Sequence, residues 1–262
     1  MQRARRVAAV AVLALVAGLG LTGCRSQPRA AVYVGSTRYT QKTVDDLAKQ
    51  LSKVPGFARG PSRQRIVQWL VMRDLGRRLV AENHWEQPKI DITVATGQIQ
   101  QAMGTDPSKT AKATATMKPL ITLYADFQGY NAVVQQHAGQ AAPTEADYAD
   151  LYARAKAAGL VPAGVDEAGY RTSLGDQNDQ VFRSNIGLKA LYAGEIKKAK
   201  VTINPRYAPA ELPLLQDSGS HALVVLPLDV KGGHPVVVPA PPTVKPSQPP
   251  ADSGNPADTG GG

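Results

Sequence analysis

One cysteine, Cys24, stands among 262 residues. No internal disulfide, CxxC redox pair or cysteine-built zinc site can therefore hold this chain together, and its fold must rest on the burial of apolar side chains. The residues before Cys24 narrow the reading further. Arg3, Arg5 and Arg6 precede an apolar run from Val7 to Leu21 that is short and rich in alanine and glycine. A permanent span needs ~20 strongly apolar residues, so the run reads as a secretory signal with a basic n-region and a short h-region. Removing its 23 residues and three arginines leaves 239 residues and takes the formal charge from +9 to +6. That length favours one domain with appendages over two domains. Aromatics at 5% and 20 prolines indicate a modest core and some unstructured chain.

Leu21-Thr22-Gly23-Cys24 resembles a bacterial lipobox. The resemblance implies that Cys24 becomes the mature N-terminus, thioether-linked to diacylglycerol and N-acylated by a fatty acid such as palmitate. More than one acyl chain binds far more firmly than one, because each buried CH₂ contributes ~0.8 kcal/mol. A buried free thiol is the alternative for a lone cysteine. On the lipoprotein reading the protein is exported and anchored at the outer face of the cell membrane. Residues 24–30 then form a tether reaching only ~20 Å even when fully extended. Arg25 and Arg29 within it would add a weak attraction to anionic headgroups, or simply belong to a solvated basic surface. Nucleic acid is not an expected partner outside the cell.

The hydrophobic pattern predicts a mainly helical fold. Val32 and Val34 alternate with Tyr33 in a short strand, Gly35-Ser36-Thr37 turns the chain, and Thr40 caps a helix to about Lys53. A long helix from about Ser62 to Asn83 carries Val67, Val71, Met72, Leu75 and Leu79 on one side. Arg63, Arg73 and Arg77 lie opposite, interspersed with Ile66, Trp69, Leu70 and Val80, so the helix should meet more than one neighbour. Thr93–Gly104 is a weaker helical stretch. Helical spacing then runs from Ala115 to Ala138, with Gly129 inside it for close packing or a bend. Thr144 and Asp147 make a capping-box variant ahead of a stripe of Tyr148, Leu151, Tyr152 and Ala155, and Gly159 ends that helix. Asp166–Leu174 and Gln177–Lys200 are further helices, the second with Val181, Leu188 and Tyr192 on one side. Val201-Thr202-Ile203 and Ala222–Leu226 are strand candidates, and Val236-Val237-Val238 is a last apolar triplet. Seven prolines and no aromatic between Pro239 and Gly262 cannot bury enough area to order that tail.

A search for catalytic chemistry returns little. His84, His137, His221 and His234 are scattered, with no HExxH or i, i+4 pair. No G-x-S-x-G elbow, phosphate loop or dinucleotide fingerprint is present, and Ser218-Gly219-Ser220-His221 only places serine beside histidine along the chain. Asp176-Gln177-Asn178-Asp179 lacks the glycine and terminal glutamate of a calcium loop. A helix N-terminus accounts for its aspartates more simply. No enzyme site, metal, cofactor or small-molecule ligand is expected.

The segment Ala30–Thr40 (AAVYVGSTRYT) resembles the opening of SurA N-terminal-domain proteins, and Arg63–Asn83 with Ile90–Met103 continues the likeness. Val201–Tyr207 is similar to the closing strand of small SurA-like lipoproteins, and Pro143–Pro162 to their PTxAD…LY…AAGLVP middle. Ser36 and Ala208-Pro209 depart from the family pattern. The resemblance implies a SurA N-terminal-like helical chaperone core over 31–207, whose first and closing strands pair and bring Val32 and Val34 beside Val201 and Ile203. A strand-containing extension (208–238) and the disordered tail (239–262) follow. Residues 139–176 stand where related foldases insert a parvulin prolyl isomerase, and they read as a helical hairpin, so isomerase activity is not expected. The function implied is ATP-independent binding of unfolded or newly translocated polypeptides. Ile66, Trp69 and Leu70 are the candidate client-binding residues, unless they meet the 115–138 helix in a second core layer. The rival is a non-catalytic envelope lipoprotein that docks a dedicated partner or peptidoglycan.

Overall fold

A helix that is apolar on several faces must be surrounded, and the whole architecture follows from that. The computed structural model describes residues 29–57, 61–104 and 107–229. The leader (1–23), Cys24, His234, the triplet 236–238 and the tail 239–262, on which several expectations rest, lie outside them. Along the chain come β1 (Ala30–Val34), β2 (Thr37–Thr40), α1 (Gln41–Leu51), α2 (Ser62–Glu82), α3 (Ile92–Met103) and α4 (Pro107–Ala115). They are followed by α5 (Lys118–His137), α6 (Glu145–Ala157), α7 (Glu167–Ser173), α8 (Gly175–Ala199), β3 (Thr202–Ile203), β4 (Glu211–Gln216) and β5 (Ala222–Pro227). The described chain is thus mainly helical, with two small antiparallel sheets.

Helix α2 is the axis. It packs against α5 most extensively, and also against α1, α8 and β1. Val67, Val71, Met72, Leu75 and Leu79 are buried, and so are Ile66, Trp69, Leu70 and Val80 on its other sides. Its polar positions are absorbed as well. Asp74 is buried, accepting from Tyr39 Oη at 2.5 Å and from Arg73 at 3.0 Å. Desolvation in this cluster pushes the Tyr39 hydroxyl strongly upward, with Asp74 beside it acting in the same direction.

The first sheet runs β2–β1–β3. Val32 faces Ile203 and Tyr33 faces Thr202 across an antiparallel pair, so the two ends of the helical core are joined by strands some 170 residues apart. The chain turns at Gly35-Ser36 between β1 and β2, and Gly35 N–H donates to Ala199 O at 2.7 Å, fastening the turn to the end of α8. Thr40 caps α1 through Thr43 N–H, and Thr144 with Asp147 forms a reciprocal capping box on α6.

Three expectations need correction. The helix expected over Ala115–Ala138 is present but begins later, at Lys118 with Pro119 in its first turn, and a separate helix that the sequence pattern did not mark, α4, ends at Ala115. Proline lacks an N–H and suits a helix start rather than an interior. Val181 does not belong to the buried stripe of α8; it is 43% exposed, and Phe182 and Ile186 face inward instead. Residues 211–216 form a strand that the sequence pattern did not mark. β4 pairs with β5, and this hairpin packs on α8, with β5 also against α6. Leu226 and Leu228 enter the main core, while Val224 joins a second cluster of Tyr148, Leu151, Phe182 and Ile186.

Candidate functional site

The three candidate client-binding residues are interior. Ile66 is 0%, Trp69 6% and Leu70 2% exposed, which corrects their placement on an accessible surface. Trp69 lies among Phe57, Tyr124 and Phe127, with ring centroids 5.9, 5.0 and 6.0 Å away. Burying aromatic area of this size is a large part of what holds a core, and α5 supplies two of the three partner rings. Of the basic residues sharing that side of α2, Arg63 and Arg77 keep their side chains largely in water, whereas Arg73 is mostly buried and pairs with Asp74.

The histidines described are also dispersed. His221 sits in the β4–β5 turn, where its backbone N–H donates to Asp217 Oδ1 at 2.6 Å and its Nδ1 lies 2.9 Å from Asp217 Oδ2. The His221 hydrogen bond holds the Asp217 carboxyl below the usual range, as expected for a turn-closing contact. Among the described residues no group of three or more histidine, cysteine, aspartate or glutamate side chains is assembled as a metal site, and no helix is long and apolar enough to cross a membrane.

A different surface stands out by its lack of charge. Residues 92–105 contain no Asp, Glu, Lys or Arg, and neither do residues 127–144. The first run is essentially α3, the second the C-terminal half of α5 and the loop beyond it, and α3 packs against α5. Their exposed positions are amides, small residues, His137 and two larger apolar ones, Ile92 at 41% and Val94 at 53%.

Two open grooves flank the end of α5. The first, about 350 Å³, lies between Glu86–Lys89 and the α5 residues Gly129, Ala132, Val133, Gln136 and His137. Its wall exists because Gly129 has no side chain: a Cβ there would stand 2.5 Å from Ile90 Cδ1 and 3.2 Å from Pro88 Cβ, so the connecting segment lies directly on the helix. Trp85 stacks flat on His137, with centroids 4.3 Å apart and planes at 7°. The second groove, about 380 Å³, is lined by Gln135, Gln136, Gln140, Ser184, Asn185 and Leu188, together with the loop at 138–139. Gln136 lines both.

The floor beneath is rigid. Ala141 N–H donates to Arg183 O at 3.2 Å, and at Gly187 an added Cβ would meet Gly139 O at 2.5 Å. The loop backbone therefore rests on the α8 backbone. Tyr192, fully buried below, donates to Asn131 Oδ1 at 3.1 Å, and burial pushes its hydroxyl upward. Asn185 uses one amide hydrogen on Val181 O; an amide carries a second donor and an oxygen with two lone pairs. Sequence reasoning missed this region because none of its residues carries a catalytic or metal-binding signature. The signal available was the length of the uncharged run.

What fold and site define together is a mainly helical domain in which β1 pairs with β3 and two amide-lined grooves flank the end of α5. The chain matches no protein-family model, no curated protein and no solved structure.

Proposed function

We propose that this chain is a membrane-anchored extracytoplasmic chaperone of the holdase type, binding unfolded exported polypeptides without ATP. In this reading Cys24 carries the lipid, and the helical core is of the SurA N-terminal kind. The pairing of β1 with β3 around a helical core and the order of the elements support that assignment. The observation that carries the function is the uncharged α3–α5 surface, with Ile92 and Val94 exposed on it. An unfolded segment offers apolar side chains and unpaired peptide groups, and a neutral surface of amides and apolar residues meets both without desolvating a charge.

The test is light scattering from a chemically unfolded client mixed with the full chain in detergent, without ATP. Suppression of aggregation near equimolar ratio is the expected result. Scattering equal to that with an inert protein overturns it. One observation favours the second reading, an envelope lipoprotein docking a dedicated partner: Trp69 and Tyr124 are buried and packed ring on ring with the half-buried Phe57 and Phe127.

A further inference from the structure

We propose that the two grooves at the end of α5 form one trough that binds an extended, uncharged polypeptide segment by its backbone, with Gln135, Gln136, Gln140 and Asn185 as the contacting side chains. This inference rests on the chaperone reading and gives it a location and a ligand chemistry.

The lining chemistry selects the ligand. A primary amide offers donors and acceptors together, as each peptide group does, and a row of them pairs with backbone without consulting the side chains. Glu86 and Lys89, one of each sign on the wall of the first groove that faces α5, are the only charged residues lining either hollow. A phosphate, a nucleic acid or an acidic peptide would find no cluster of cations there. Apolar lining (Ala132 and Val133 in the first groove, Leu188 in the second) is interleaved with the amides, so neither groove offers the continuous hydrocarbon wall that an acyl chain fills.

Dimensions point the same way. Small-ligand sites are typically ≈ 300–1,000 Å³ and enclose most of the ligand. Each groove here is at the bottom of that range and open, and the two meet at Gln136, which lines both. A chain running through both satisfies that shape better than a compact molecule in either. Sugars are commonly gripped on an open aromatic face, but one face of Trp85 is already covered by His137. Ile92 and Val94 begin α3 just after Ile90, which rests on Gly129, so apolar contact is at hand for residues beyond the trough.

The amides stand on fixed ground. The backbone contact between Gly187 and Gly139 locks the loop onto α8, so little ordering is required on binding. Each solvent-exposed hydrogen bond adds little net binding, because water competes for both partners. Binding is therefore weak and readily reversed, as release without ATP demands.

The experiment is an anisotropy titration of the full chain with a short labelled peptide of alanine, serine and threonine, alongside a twin whose backbone nitrogens are methylated. The expected result is saturable binding of the first and none of the second. The double variant Gln136→Ala/Gln140→Ala should weaken binding about tenfold through the loss of two hydrogen bonds, at unchanged melting temperature. Equal binding of the methylated twin overturns the proposal, as does undiminished binding by the variant. So does failure to bind the peptide, with or without binding of a chitin oligosaccharide in its place. The same two proteins in the scattering assay separate the two readings. If both suppress aggregation equally, the trough falls and the chaperone stands; if the unmodified chain does not suppress, the chaperone reading falls on its own.

Discussion

Glu195 shows how much a single side chain decides in this molecule. Its carboxylate is fully buried, lies 2.5 Å from Arg78 Nε, and is 3.8 Å from Lys198 Nζ. Arg78 and Lys198 both reach Glu82 as well, at 3.4 and 3.1 Å, so α2 and α8 are clasped by a four-member charge cluster. Removing one member of a buried pair strands the other. Glu195→Ala is expected to lower unfolding free energy by about 2–3 kcal/mol in a urea titration, moderated because Arg78 is 37% exposed and can turn to water. Asp147 makes a second case. Burial pushes its carboxyl up, but hydrogen bonds from Thr144 and the nearby Lys189 outweigh this and hold it below its ordinary value of 3.8. A depressed folded value means stability that is present above the unfolded value and lost as pH falls through the lower folded one. Thermal melts between about pH 5 and pH 3 should therefore show a falling melting temperature, and Asp147→Asn should flatten that slope. Trp69→Ala belongs here too: with three aromatic partners lost, roughly 3–5 kcal/mol of destabilisation is expected, so that variant reports on folding rather than on client contact.

Two glycines of similar appearance should behave differently at the level of elements. A Cβ on Gly187 meets backbone carbonyls of the 138–139 loop, at 2.5 and 2.9 Å, whereas one on Gly129 meets the far end of the Ile90 side chain. Both alanine substitutions gain about 1 kcal/mol of helix propensity. Gly129→Ala is expected to melt close to the parent, because Ile90 can rotate away; Gly187→Ala should melt lower, because two backbones must separate. Equal melting temperatures would refute this account. The elements themselves were legible to different degrees. β1, the Thr40 and Thr144 caps and the long α2 could be read from alternation, side-chain chemistry and period, because local preference and tertiary demand agree there. β4 could not: Glu211–Gln216 holds no β-branched residue and a proline, and becomes a strand only by pairing with β5. The start of α5 was legible to within three residues, at Pro119, whereas α4 carries no apolar stripe strong enough to have marked it. The amide trough joins side chains from α5, the loop after it and α8, and no local pattern encodes that meeting.

At the scale of the whole molecule the β4–β5 hairpin joins what would otherwise be two cores. Leu226 and Leu228 lie with the α2 core, Val224 with Tyr148, Leu151, Phe182 and Ile186, and Leu214 touches both. Ending the chain after Tyr207 should uncover Phe182 and Ile186. Amide exchange is expected to accelerate most in α6 and α7, which keep few other contacts, and least in α2; uniform acceleration would contradict the bridging role. The pairing of β1 with β3 has a mechanical consequence. The strands are antiparallel, so residues 29 and 205 lie at the same end of the pair, where Asn204 N–H donates to Ala31 O at 2.9 Å. A pull that separates residue 29 from residue 205 loads this bond first and then the next, opening the pair like a zipper rather than shearing it as a block.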